Sequence, residues 1–371
     1  MLWSSEPMKQ LQIALEQRYA TKKNIARIAQ IAAGARTAVF AIQERYPSIR
    51  KVRGLFRRIL PFCLYDPLSK ILDRPSEAQE LLWINPSVSS SEMNNVLLFP
   101  PGLGTKVAER LLTEYPPHWV HSVMTGVDQI PSLPTGTLLT SSRGVHSRRI
   151  AEFTLGLIFA LSKNIVGHTI QTRRRSWKTL PSTMVRGSRL GIVGLGSIGT
   201  EIARLGRAVG MEVWGTKRKV MNVDVADRVL SPEGLPWLLR EADYVVLSVP
   251  LIQETHKLIG KEELSMMKPS SYLINVSRGA VVDEDSLYHA LKNFHIRGAC
   301  IDVFQGEKPL PKNSRFYRLN NLLVTSFSAF YSADSKDEVM DLFFENLRRF
   351  LVGEPLRSVI DQPPPVFRRP S

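Results

Sequence analysis

The sequence predicts an α/β fold of two lobes, the larger a doubly wound parallel sheet, and three observations carry that expectation. The chain has 371 residues, more than one ordinary domain of ~100–200 residues holds. From Leu190 to Thr325, short apolar runs alternate with segments of helical spacing, the order that a parallel sheet with crossover helices imposes. A glycine-rich turn, Gly194-Leu195-Gly196-Ser197-Ile198-Gly199, falls between the first of those runs and the helix after it.

Composition narrows the class. With 43% hydrophobic and 22% charged residues the chain has apolar material for two cores. Two cysteines, Cys63 and Cys300, make neither a disulfide framework nor a zinc cluster, so no metal site is expected. The net charge of +15 is uneven: residues 1–70 hold 13 Lys+Arg against 4 Asp+Glu, +9, leaving +6 for the rest. No finger spacing or aromatic ribonucleoprotein stretch accompanies this basicity, so no nucleic-acid partner is expected. The longest apolar stretch outside the N-terminus, Phe153 to Leu161, is far short of the ~20 residues of a membrane span. From Lys9 to Ile31 the chain is basic, acid-poor and amphipathic, which fits an organellar transit peptide or an ordinary helical extension. The compartment is accordingly open between cytoplasm and mitochondrion or plastid.

Taken in order, Val96–Phe99 reads as a buried strand stopped by Pro100-Pro101-Gly102, Thr105–Leu112 as a helix, and Trp119–Val123 as a second strand. The turn after it, Met124 to Asp128, can aim backbone N–H groups at an anion. Ile150–Leu161 makes an apolar connecting helix. Then come a strand (Leu190–Val193), the glycine turn, a helix (Ile198–Val209) and a strand (Glu212–Trp214), with further strands at Tyr244–Ser248, Tyr272–Val276, Ala299–Phe304 and Asn321–Thr325. A final helix, Lys336–Leu351, returns to the first lobe. The expected domains are a basic N-terminal extension (1–70), a smaller flavodoxin-like substrate domain (71–148, completed by 328–371) and a Rossmann-type dinucleotide-binding domain (149–327).

The glycines identify the ligand class. In a GxGxxG between strand and helix, the first glycine makes the tight turn, the second lets backbone approach a pyrophosphate, and the third packs helix on strand, with the phosphate at the helix N-terminus. About 20 residues on, binders of NAD place a carboxylate against the ribose hydroxyls. This chain has Thr216-Lys217-Arg218-Lys219 there, a hydroxyl and three cations suited to a 2′-phosphate, so NADP(H) is expected to be preferred, with NAD(H) possible.

Five ordered motifs resemble the D-isomer-specific 2-hydroxyacid dehydrogenases: Arg143-Gly144-Val145-His146-Ser147 with Ile150-Ala151-Glu152; the glycine turn; Val249-Pro250-Leu251 with Thr255; Asn275-Val276-Ser277-Arg278-Gly279; and Asp302-Val303-Phe304 with Glu307. The resemblance spans about residues 93 to 355. It points to the glyoxylate and hydroxypyruvate reductases, with some likeness to the corepressor branch of C-terminal-binding proteins.

The resemblance implies a site. Arg278 would grip the carboxylate and keto oxygen of a small 2-oxo acid, polarising the carbonyl for hydride attack. The Thr125-Gly126 turn would receive the acid. Gly194, Gly196, Ser197, Ile198, Gly199, Thr216, Lys217, Arg218, Val249, Pro250, Thr255, Val276, Ser277 and Asp302 would hold the dinucleotide. The family's general acid is a histidine kept protonated by a glutamate; Glu307 matches the glutamate, but Phe327 occupies the histidine's place in Thr325-Ser326-Phe327-Ser328-Ala329. Phenylalanine moves no proton. Neither His121 nor His146 has a spacing that makes it a substitute, and the hydroxyls of Ser326 and Tyr331 are poor acids near neutral pH. Two readings follow: an NADPH-linked reductase of 2-oxo acids altered at its acid, or a dinucleotide-binding sensor with little or no turnover. The family also implies a homodimer.

Overall fold

The computed structural model describes residues 116–220, 223–305, 310–332 and 335–360, the strand segments Leu11–Glu16, Leu81–Ile84 and Asn94–Phe99, and residues 27, 109, 112 and 113. The helix expected at Thr105–Leu112 lies almost wholly outside the described residues. Two compact units are present, Met1–Val145 with Asp334–Ser371, and His146–Ala333.

The first unit is built on a five-stranded sheet of β1 (Leu11–Glu16), β2 (Leu81–Ile84), β3 (Asn94–Phe99), β4 (Trp119–Ser122) and β5 (Leu138–Ser141), in the order β2-β1-β3-β4-β5. β1 and β2 are antiparallel and the other pairs parallel. β1 corrects the helical alternative for this stretch, because Leu11–Glu16 is a strand paired inside the sheet. Leu11, Ile13 and Leu15 alternate with Gln12, Ala14 and Glu16, a period of two, over a run of six residues inside the longer stretch that reads as basic and amphipathic.

The second unit is a seven-stranded, fully parallel sheet. Its elements are α1 (Ser147–Ser162), α2 (Ile165–Arg173), β6 (Arg189–Val193), α3 (Ser197–Ala208), β7 (Glu212–Thr216), β8 (Arg228–Leu230), α4 (Leu235–Glu241), β9 (Tyr244–Leu247), α5 (Lys261–Met266), β10 (Tyr272–Asn275), α6 (Glu284–Lys292), β11 (Gly298–Ile301) and β12 (Leu322–Val324). The strand order β12-β11-β10-β9-β6-β7-β8 is the doubly wound one, with the direction of winding reversing at β6 and β9. The central strands are buried at every position, as a sheet covered on both faces requires. Alternate residues feed two cores: Val245 and Leu247 of β9 join one cluster, Tyr244 and Val246 the other.

α3 buries Gly199, Ile202, Ala203 and Gly206, the i, i+3, i+4, i+7 stripe of a helix lying on a sheet. α6 starts at Asp283, whose carboxylate accepts the Ser286 N–H at 2.9 Å. α7 (Ser335–Leu351) belongs to the first unit, where Phe343 stacks on Trp119 at 5.4 Å between ring centroids. Beyond it the Ile360 N–H donates to Leu139 O at 2.9 Å. Among the described residues no single helix is long and apolar enough to cross a membrane.

Candidate functional site

The glycine turn follows β6, the strand at which the winding reverses, where ligands of open parallel sheets bind beyond the carboxyl ends. Each glycine has its own reason. Gly194 has φ +102°, and a Cβ there would come within 2.7 Å of the Val249 side chain. At Gly199 a Cβ would meet the Gly194 carbonyl oxygen at 2.1 Å, so only glycine lets α3 approach the strand this closely. At Gly196 a Cβ would meet nothing within 4 Å. The second glycine therefore borders open space, at the end of a helix whose N-cap provides no side-chain acceptor for the first-turn N–H groups of Ser197, Ile198 and Gly199. Such a cradle of backbone donors fits a pyrophosphate.

The end of β7 divides its polar groups between two tasks. The buried Thr216 hydroxyl accepts the Gly194 N–H at 3.1 Å, and Lys217 Nζ donates to Leu195 O at 3.2 Å. Both side chains thus brace the turn, whereas Arg218 and Lys219 are exposed at its margin. Ser248, which the sequence reading passed over, completes the brace by donating from Oγ to Gly194 O at 2.8 Å. Its only signal in the sequence was its place directly before Val249-Pro250. The Thr255 hydroxyl donates to Pro250 O at 2.6 Å and accepts the Ile252 N–H at 2.9 Å, so Thr255 shapes the Val249-Pro250 loop from within.

Arg278 stands three residues past β10, half-buried, with Nη1 donating to Ser277 O at 3.1 Å. Its backbone is fixed by Asn275, a buried amide at the strand's last position. Asn275 Nδ2 donates to Arg278 O at 2.9 Å, and its Oδ1 accepts the Ser277 N–H at 3.0 Å and the Ser277 hydroxyl at 2.8 Å. Val276 and Ser277 are themselves buried. Gly279 then lies directly on the Phe304–Gln305 backbone, where a Cβ would fall 2.0 Å from the Phe304 carbonyl carbon. The Arg278 loop and the segment leading toward position 307 are held together by this contact; Glu307 itself lies outside the described residues.

Asp302 follows β11 and is buried. Its carboxylate accepts the Thr325 hydroxyl at 2.5 Å, the Ser328 N–H at 2.9 Å and the Ala329 N–H at 3.1 Å, while its backbone oxygen accepts the Phe327 N–H at 3.0 Å. These bonds hold Phe327 at φ +51°, a left-handed conformation uncommon for a bulky residue. The Phe327 ring lies 4.8 Å from Phe330, which in turn meets His146 edge-on at 5.7 Å.

In the first unit, Thr125 and Gly126 form the turn beyond β4, and the Thr125 hydroxyl points to Ser142 O at 3.5 Å. His121 is a core residue: its Nδ1 shares a proton with Thr140 Oγ1 at 2.7 Å, and burial pushes its pKa down to about 3, so it is neutral and no acid near neutral pH. Burial likewise pushes the Cys300 thiol up to about 12, leaving it unreactive. Among the described residues no group of three His, Cys, Asp or Glu side chains is placed to hold a metal ion.

Comparison with known proteins agrees with this geometry. Residues 155–329 match the family described as D-isomer specific 2-hydroxyacid dehydrogenase, NAD binding domain. The chain is 34% identical over 246 residues to a glyoxylate reductase of Korarchaeum cryptofilum, covering 64% of this chain and 73% of that protein. Its structure resembles that of a D-isomer specific 2-hydroxyacid dehydrogenase family protein from Aeromonas salmonicida, with a TM-score of 0.69, 25% identity, and 95% and 99% of the two chains covered. A D-isomer specific 2-hydroxyacid dehydrogenase from Xanthobacter autotrophicus, solved with NADPH and MES, gives a TM-score of 0.64 at 28% identity over 75% and 86% of the chains. A cradle of backbone donors that fits a pyrophosphate, an arginine at the same edge of a doubly wound sheet and these likenesses converge: the chain belongs to the D-isomer specific 2-hydroxyacid dehydrogenase family of oxidoreductases, which use a nicotinamide dinucleotide.

Proposed function

We propose that the protein uses NADPH to reduce a small 2-oxo acid of the glyoxylate or hydroxypyruvate kind. The observation that carries the cofactor preference is the end of β7, where no carboxylate stands and where Thr216 and Lys217 brace the glycine turn while Arg218 and Lys219 are exposed beside it. A 2′-phosphate there would gain charge-assisted hydrogen bonds from Arg218. The solved relative with NADPH supports the same preference. Gly194, Gly196, Ser197, Ile198 and Gly199 would hold the pyrophosphate, and Val249, Pro250, Thr255, Val276, Ser277 and Asp302 would frame the nicotinamide half. When bound, the reduced dinucleotide supplies the hydride. Arg278 binds the acid's carboxylate and polarises the acceptor; by resemblance Thr125-Gly126 receives the acid, and Glu307 takes the place of the glutamate that keeps the family's general acid protonated.

A second reading has a specific observation behind it, the aromatic residue Phe327 in place of a proton donor: a protein that binds dinucleotide and senses rather than turns over. One experiment separates the two. After NADPH binding is established by fluorescence, NADPH oxidation is followed with glyoxylate and hydroxypyruvate for the parent protein, Arg278→Ala and Phe327→His. Turnover by the parent that Arg278→Ala abolishes supports the reductase; binding with activity only in Phe327→His supports the sensor.

The assembly proposed with this reading is a homodimer. α2 buries none of its residues, and Ile165, Val166 and Ile170 on it are exposed, as is Trp177 just beyond, fully so. A second copy of the same apolar face would cover these residues under two-fold symmetry. Sedimentation of the parent as a dimer and of Trp177→Asp as a monomer is the expected result.

A further inference from the structure

Three hydrogen bonds in series tie the backbone of Phe327 to that of Arg278. The Phe327 N–H donates to Asp302 O at 3.0 Å, the Asp302 N–H donates to Asn275 O at 3.0 Å, and Asn275 Nδ2 donates to Arg278 O at 2.9 Å. The segment that carries an apolar ring pair, Phe327 with Phe330 at 4.8 Å and tilted by 56°, therefore adjoins the loop that carries Arg278. The pair is built with care. A non-glycine residue at φ +51° is strained, and the Asp302 carboxylate, with three hydrogen bonds to this segment, holds it there. His146, in the same unit, meets the Phe330 ring edge-on at 5.7 Å between centroids.

The chemistry of such a surface discriminates between acceptors. Hydride addition to a neutral carbonyl by a neutral reductant creates two opposite charges, one of them an alkoxide that needs a proton as it forms. A phenyl ring supplies no proton, and apolar surroundings raise the cost of the new charges. Addition to an iminium carbon creates no new charge. A carbon–hydrogen bond of the dihydronicotinamide would break as the new one forms at the iminium carbon, the carbon–nitrogen π pair would move onto nitrogen, the positive charge would pass to the oxidised dinucleotide, and the resulting amine would take its proton later from water. Aromatic faces also attract the cation before it reacts, while Arg278 holds the carboxylate.

We propose that the acceptor reduced at this edge is a 2-imino acid, the condensation product of a 2-oxo acid and an amine, so that the product is an amino acid. This rests on the reading of Arg278 and the glycine turn as a site for hydride transfer from NADPH, and it goes beyond that reading in the acceptor.

The test uses the full chain with NADPH bound. NADPH oxidation is measured with pyruvate or glyoxylate, alone and with methylamine, and the product is identified by mass spectrometry. Turnover is expected with the amine and to fall by about 10²-fold or more without it, the worth of a proton donor. A second readout does not depend on turnover. With NADP⁺ present, calorimetric titration should show the N-methylamino acid binding tighter than the hydroxy acid of the same skeleton. Phe327→Leu should weaken the first by about two- to tenfold, and Phe327→His should favour reduction of the free oxo acid. Equal turnover with and without amine, or equal binding of the two products, overturns the imine proposal and leaves the reductase standing. NADPH binding with no turnover of either acceptor overturns both.

Discussion

Replacing Gly196 by alanine separates binding from folding. The residue has φ −86° and ψ −161°, which alanine can adopt, and its added methyl would meet nothing within 4 Å. Removing a glycine from the unfolded chain favours the folded state by ~0.4–1 kcal/mol, and alanine's poorer N-cap offsets a similar amount. Thermal unfolding should therefore move by no more than about 2 °C. The methyl occupies the space from which the first-turn N–H groups of α3 would reach a phosphate. Loss of one charge-assisted hydrogen bond, ~1.5–3 kcal/mol, weakens NADPH binding by about 10- to 150-fold. Gly199→Ala is the contrast. Its Cβ would lie 2.1 Å from Gly194 O against the 3.4 Å at which ordinary contact begins, so α3 must retreat. Overpacking of that kind costs ~1–3 kcal/mol, and both the unfolding temperature and the affinity should fall. Fluorescence titration with NADPH and thermal unfolding by circular dichroism, without ligand, measure the two effects. A Gly196→Ala protein that binds NADPH like the parent, or that unfolds as early as Gly199→Ala, refutes the assignment of this turn to the pyrophosphate.

Arg218→Ser should weaken NADPH binding about tenfold or more and leave NADH unchanged, whereas Lys217→Met, which removes the bond to Leu195 O, should weaken both; equilibrium titration with each dinucleotide tells them apart. Asn275→Ala removes three hydrogen bonds, one to Arg278 O and two to Ser277, so binding of oxalate as a mimic of the substrate acid should fall about 10-fold and NADPH affinity by less; an equal loss of both would show a merely structural role. His121 has a folded pKa of about 3 against an unfolded value of ~6.5, so its neutral form's contribution is whole above pH 6.5. It is lost as pH falls from 6.5 toward 3, by about 1.4 kcal/mol per pH unit. Urea midpoints across that range should decline more steeply for the parent than for His121→Gln.

Much of this was legible in the sequence because it is local. A strand buried on both faces is apolar along most of its length, so Leu190–Val193, Tyr244–Leu247 and Tyr272–Ile274 announce themselves, and the spacing of Gly194, Gly196 and Gly199 between strand and helix admits little else. Short elements did not: β8 has three residues, and β1 was hidden in a basic, amphipathic segment that fitted a helix as well. By itself the sequence determined the doubly wound order of elements, the glycine turn and the presence of Arg278 and Phe327 in it. Only the tertiary structure decided how polar groups are spent. Thr216 and Lys217 brace a turn some twenty residues earlier, Asp302 fixes the segment around Phe327, and Asn275 sets the backbone of Arg278. A hydrogen bond depends on where strand ends come to lie beside one another, and that is settled by the pairing of the whole sheet, not by any stretch of residues along the chain.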